Sequence, residues 1–233
     1  MTAPLYRWPP AAKFGRAIPK TKFYEHSSIG STIKDRFVSD VRRVIWAYKL
    51  AESTINLPGS AGVTEIQVFE IEAKKDDVAE GVLAAIDKAV RTPIIFEVCR
   101  GGDSNESVRM VAAHKHLGTS APKVGPYFST GWHPASSERS ALPTAIDLLS
   151  LYTALLQPLT PVAPRPGETV SDVVGRLTSV RALEREIATL ERNLRNEAQL
   201  NRKVELRRTL KTKQAMLVEL TSRIPSPVAG DTN

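Results

Sequence analysis

Apolar positions along the chain change period several times, and each change predicts an element. From Ser31 to Leu50, the residues Phe37, Val41, Val44, Ile45 and Tyr48 recur at spacings of three and four, with Trp46 beside them. That spacing predicts one amphipathic helix capped by Ser31 or Thr32, with Asp35 in its first turn. Residues 63–73 switch to period two, with Ile66, Val68, Phe69 and Ile71 set against Glu65, Gln67, Glu70 and Glu72. This predicts a half-buried strand. The helical period returns over 76–91 through Val78, Val82, Leu83, Ile86 and Val90, behind Asp76 or Asp77 as cap, and Pro93 ends it. Ile94, Ile95, Phe96 and Val98 form a more continuous apolar run, the pattern of a central strand covered on both faces. The turn cluster at 100–105 leads through a hairpin to a third strand at 108–114. Residues 124–128 and Trp132 give a last short extended segment, and 144–157 return to helix.

Beyond residue 157 the character changes. Residues 158–168 contain four prolines and a glycine, a stiff linker that cannot continue a helix. From Arg176 to Ile224 there is neither glycine nor proline, and Leu177, Val180, Leu183, Ile187, Leu190 and Leu194 step as a coiled-coil seam. The seam then loses phase and resumes at Leu206, Leu210, Leu217 and Leu220, which fits either one long helix with a stutter or a helical hairpin. The organisation expected is therefore a loose basic tail (1–12), a mixed α/β domain of α+β type (13–157), the linker (158–168), a helical extension or hairpin (169–224) and a disordered tail (225–233). The domain holds a small mixed sheet flanked by helices.

Composition narrows the function classes. Of 233 residues, 42% are hydrophobic and 24% charged, an ordinary globular balance. The single cysteine, Cys99, excludes an intramolecular disulfide framework and a multi-cysteine zinc site. No apolar run approaches the ~20 residues of a membrane span, and the N-terminus lacks a signal-type apolar core, so a cytoplasmic setting is expected. A net charge of +7 biases the chain toward acidic partners such as nucleic acid.

Three features carry candidate chemistry. Residues 202–213 hold six cations and one acid. Lys203, Arg207 and Lys211 lie four apart on one helical face, with Arg202 and Arg208 nearby. Such a stripe can follow a phosphate backbone, although a solvated coiled-coil exterior explains it too. The strand Glu70-Ile71-Glu72-Ala73-Lys74 contains Glu-x-Lys, an arrangement in which carboxylates hold Mg²⁺ and the lysine activates water. A nuclease of that kind needs Glu72 and Lys74 to converge with Glu65 or Glu70 at one open pocket, or with an upstream acid such as Asp40. A polar strand face is the plain alternative. His114 and His116 share a strand face, but no third metal ligand follows at diagnostic spacing. No phosphate loop or dinucleotide fingerprint is present. No cofactor is expected, apart from Mg²⁺ under the nuclease alternative.

Several segments taken together resemble one family. They are 14–20, 46–56, 65–74, 85–97, 142–148 and 196–206, and they carry Arg16, Pro19, Lys20, Trp46, Lys49 and Asn201, with Lys115 a further family-motif residue between them. Their order and spacing are similar to the bacterial family catalogued as domain of unknown function 4391, over about residues 14–220. The family often has Tyr-Lys where this chain has His114-Lys115. Its members tend to be encoded beside helicase and DNA-methyltransferase genes in phage-defence cassettes. The resemblance implies a non-catalytic accessory subunit that docks such a partner, or a second copy, through the coiled coil while basic surfaces touch DNA. A purely structural dimer is the remaining alternative.

Overall fold

A computed structural model describes residues 5–25, 29–60, 62–102, 106–116, 123–160, 165 and 168–222. The chain divides into two compact units, residues 1–161 and 162–233, within the proline-rich segment.

Among the described residues, the first unit holds a seven-stranded mixed sheet. Six strands lie side by side in chain order: β1 (Lys13–Ala17), β2 (Val41–Ala51), β3 (Glu65–Ala73), β4 (Ile94–Arg100), β5 (Ser107–His116) and β6 (Lys123–Ser129). The short β7 (His133–Pro134) pairs with β5. All pairings are antiparallel except β3 with β4. That parallel pair is joined by a crossover helix, which leads here from Glu80 to Ala89. Helices α1 (Thr21–Glu25), α2 (Ser31–Asp40) and α3 (Glu52–Ile55) precede it, so the crossover is α4. It buries Val82, Leu83 and Ile86 against Phe69, Ile71, Phe96 and Val98. Helix α5 (Leu148–Leu156) packs against β3 and β5, with Tyr152 stacked on His114 on the opposite face of the sheet. Its N-terminus has a reciprocal cap between Asp147 and Ser150.

The expected helix over 31–50 is half helix and half strand. Only Ser31–Asp40 is helical, with Gly30 rather than Ser31 or Thr32 at the cap, and Val41–Ala51 is the long strand β2. The register of β2 shifts twice against β3, between Val41 and Arg43 and between Trp46 and Tyr48. Each bulge inserts an extra residue, so the buried positions become Val41, Val44, Ala47 and Leu50, with Ala51 buried at the strand end. A strand with two bulges thus reproduces the three-residue spacing of a helix.

Residues 5–12 correct a second expectation. They are not a loose tail: Leu5, Tyr6, Trp8 and Ala12 are buried, and 10–12 form a 3₁₀ turn. Residues 1–4 and 225–233 lie outside the described residues. Helix α4 starts four residues later than Asp76, and Asp77 accepts from the Val78 amide and pairs with Arg109 instead of capping it.

The interior of the first unit holds one ion pair with no solvent exposure to speak of. Lys115 reaches from β5 to the end of α4, where its Nζ meets the Asp87 carboxylate and donates to the carbonyls of Asp87 (2.9 Å), Val90 (2.8 Å) and Thr92 (2.8 Å). Tyr127 donates to the other Asp87 oxygen at 2.8 Å. Burial pushes the Asp87 carboxyl up and the Lys115 ammonium down, and their mutual attraction opposes both shifts. The ammonium also completes the orphan carbonyls at the C-terminus of α4.

In the second unit the phase break is a hairpin. Helix α6 (Val170–Asn196) and helix α7 (Leu200–Thr221) are joined at 197–199 and pack on each other. Val173, Leu177, Val180, Leu183 and Ile187 of α6 are buried. Half-buried positions of α7 step 203, 206, 210, 213, 217, 220, a heptad seam. Arg176, itself paired with Glu168 at 2.7 Å, donates to the Leu220 carbonyl, and Arg165 donates to those of Glu219 and Ser222. Two guanidiniums therefore close the C-terminus of α7.

Replacing Lys115 with methionine leaves Asp87 buried without its counterion. The expected loss is about 3–5 kcal/mol in denaturant unfolding. Combining it with Asp87→Leu should restore a substantial part. A single-variant loss below about 1 kcal/mol would contradict the role assigned to the pair.

Candidate functional site

The parallel β3–α4–β4 unit brings the carboxyl ends of two strands together, the place where open α/β sheets form crevices. A cleft with two connected halves lies there, both reaching Arg42, Ala73, Gly101 and Gly102. One half, about 240 Å³, adds Glu72, Cys99 and Glu106. The other, about 480 Å³, adds Lys74, Lys75, Asp76, Arg100 and Ser107. Gly101 turns the chain at φ 92°, a conformation in which a side chain is strained.

The two halves differ in charge. Among the described residues, Arg42, Lys74, Lys75 and Arg100 face a single acid, Asp76, in the larger half. The Arg100 guanidinium lies 4.0 Å from the Trp132 ring centroid and donates to the Asp76 carbonyl at 3.0 Å, which fixes its direction. In the smaller half Glu72 is held by Arg43, with Nη2 at 2.5 Å.

Behind the acidic half, strand alternation sets Glu70 beside Glu97 across the parallel pair. Glu97 is nearly buried and takes three donated bonds: Trp8 Nε1 at 2.9 Å, and Arg139 Nη1 at 2.6 Å and Nη2 at 3.3 Å. Arg139 also donates to the Tyr6 carbonyl at 2.9 Å. Glu70 has no such set of donors. Burial, then the charges of Glu97, Glu72 and Glu106, raise its carboxyl above the ordinary range, with Arg43 opposing. Burial and the same acidic surroundings push the Cys99 thiol up to about 12. That is the opposite of nucleophile activation.

The residues of the nuclease alternative are only partly brought together. Glu70 and Glu72 share a face at the cleft, and Lys74 lines its basic half, but Lys74 Nζ donates to the Val38 carbonyl at 2.7 Å. Glu65 lies seven residues back along β3, about 23 Å away at strand rise. There it pairs with Lys49 at 2.6 Å. Asp40 is the last residue of α2, engaged with Ser39 and the Ala79 amide. Among the described residues no three carboxylate, imidazole or thiol groups converge as metal ligands. His114 packs on Tyr152, and the His116 side chain lies outside the described residues.

On α7, Arg202, Arg207, Arg208 and Lys211 are exposed as expected, whereas Lys203 is half-buried on the seam side. Lys213 pairs with Glu186 of α6 at 2.7 Å. Of the apolar stripe of α6 that the docking expectation invoked, Leu177, Val180, Leu183 and Ile187 are buried, and Leu190 and Leu194 are half-buried.

A family model described as a domain of unknown function, DUF4391, matches residues 7–217. The chain belongs to the DUF4391 family. No curated protein and no solved structure matches it. The match spans the cleft, the Lys115–Asp87 pair and most of the hairpin of this DUF4391 chain. Of the residues that carried the resemblance, Lys115 is the buried ammonium at the end of α4, and Lys20 donates to the carbonyls of Phe37 and Val41 at the end of α2. Trp46 is stacked on Phe69 and meets Phe14 at a tilt, Arg16 is exposed on β1, and Asn201 is exposed in the first turn of α7. Sequence reasoning passed over Arg42, Lys75, Glu97, Arg100 and Arg139. The one local sign was the Gly101-Gly102 turn directly after an apolar strand.

Because the folded state raises the Glu70 pKa, folding takes up a proton there. The penalty is present above the folded pKa and absent below the unfolded value, so stability falls as pH rises through that window. Glu70→Gln should therefore raise Tm at pH 7 to 8, with a gain that shrinks toward pH 4. An equal Tm change at all pH values would contradict this. Alkylation of Cys99 by iodoacetamide at pH 8 should be far slower than that of a free thiol, and should accelerate in Glu70→Gln. Alkylation at the free-thiol rate would refute the acidic environment.

Proposed function

We propose that this protein is a nucleic-acid-contacting accessory module, with the turn end of its helical hairpin lying against phosphates. Charge segregation along the hairpin supports this reading. Lys213 pairs with Glu186 across the hairpin, so its turn end is residues 186–213, which carry eight cations and four acids, while the rest (168–185 and 214–222) carries three cations and four acids. Six of the eight, Arg192, Arg195, Arg202, Arg207, Arg208 and Lys211, are exposed. Among the described residues none of these six has an ion-pair partner within 4 Å. Unneutralised cations gathered at one end of a rigid helical pair release counterions when laid on a phosphate backbone. No aromatic side chain accompanies them, so the affinity is sequence-independent rather than built on base stacking. A helicase or methyltransferase subunit, the partner class implied by the family resemblance, is the carrier of catalysis in this reading.

The test is a fluorescence-anisotropy titration of the full chain with duplex DNA across salt. Affinity should fall steeply between low and physiological salt. Arg207→Gln with Arg208→Gln should reduce the magnitude of the log–log slope by about two. Both residues are exposed, so the fold is expected to survive, which circular dichroism checks. Absence of binding at low salt, or a slope unchanged by the double substitution, would end the proposal.

A further inference from the structure

The cleft at the carboxyl ends of β3 and β4 belongs to the other unit and has a charge pattern of its own. We propose that its larger half is a binding site for a terminal phosphate, a phosphomonoester rather than the interior of a polyanion. Among the described residues, four cations line about 480 Å³ against the one acid Asp76: Arg42, Lys75 and Arg100, and Lys74, whose ammonium also donates to the Val38 carbonyl. That volume lies within the range of small-ligand sites. Arg42 and Lys75 have no ion-pair partner among the described residues, although Glu72 and Glu106 are close at hand in the adjoining half. Arg100 is held in place by Trp132 beneath it and the Asp76 carbonyl beside it, so little side-chain freedom is lost when it meets an anion. A Cβ at Gly102, which lines the cleft, would meet nothing within 4 Å among the described residues.

The adjoining half sets the selectivity. Glu72 and Glu106 line it, and Glu70 lies behind. A phosphate chain continuing through both halves would run from four cations onto carboxylates, and like charges at that range repel. A single doubly charged phosphate fits the basic half and stops there. A free phosphate ion, a mononucleotide and a phosphorylated nucleic-acid end all present this group.

Calorimetric titration of the full-length protein decides the matter. The probes are inorganic phosphate, a nucleoside monophosphate, its parent nucleoside, and a short single strand with and without a 5′-phosphate. The monophosphate should bind at least about tenfold more tightly than the nucleoside, and Arg42→Ala with Lys75→Ala should remove at least about tenfold of that affinity. Inorganic phosphate binding as well as the monophosphate would support the site with the free ion as its ligand. A 5′-phosphate requirement in the oligonucleotide arm would support it with a nucleic-acid end. Equal binding of nucleoside and monophosphate, no heat from any phosphorylated probe, or unchanged binding in the double variant would each overturn it. Arg207→Gln with Arg208→Gln should leave monophosphate affinity intact, so failure of the hairpin reading and failure of this one remain distinguishable. Loss of affinity in that hairpin variant would move the phosphate to the helices and also overturn the assignment.

Discussion

A lysine ammonium in a protein interior is tolerable only when oxygen surrounds it, and that requirement organises the first unit. Lys115 draws three backbone carbonyls and one carboxylate to a single point. Those oxygens come from the last turn of α4 and the loop that follows, so β5 is tied to the crossover that makes β3 and β4 parallel. Tyr127 on β6 joins through Asp87. Two strands and the end of one helix thus meet at one charge. The parallel pairing it secures is also what sets two strand ends side by side and opens the cleft between them.

What could be read from the residues alone follows from the range of the interactions. Strands β3 and β4, helix α5 and the crossover helix carry their period within ten residues, and all appear close to where the apolar spacing puts them. Strand β2 was hidden because its two bulges convert a period of two into a period of three, and bulges are settled by the partner strand rather than by the strand itself. The hairpin was legible as a loss of phase, and the choice between bend and stutter needed the packing of α6 on α7. The Glu97 cluster had no local signature at all. Its members, Trp8, Glu97 and Arg139, come from three distant stretches that only the folded sheet brings together.

The same contrast governs the chemistry. A stripe of cations on a helix is visible in the sequence because helical spacing is regular, and the exposed part of α7 carries it as read. The cleft is assembled from the start of β2, the exit of β3 and the turn after β4. No spacing rule connects Arg42 with Lys75 and Arg100. The Glu-x-Lys spacing was visible, but its meaning depends on what lies across the sheet. There Arg43 holds Glu72, and Lys74 turns to the end of α2.

The bonds from Trp8 and Arg139 to Glu97 span 89 and 42 residues of chain. Closing loops of that length costs entropy that the finished contacts must repay. The amino-terminal stretch bonds to Glu97 through Trp8 and to residues 139 and 140 through the backbone of residues 5–7. The amino-terminal strap works as a latch that covers the Glu97 carboxylate and fastens β4 to the segment that follows β7.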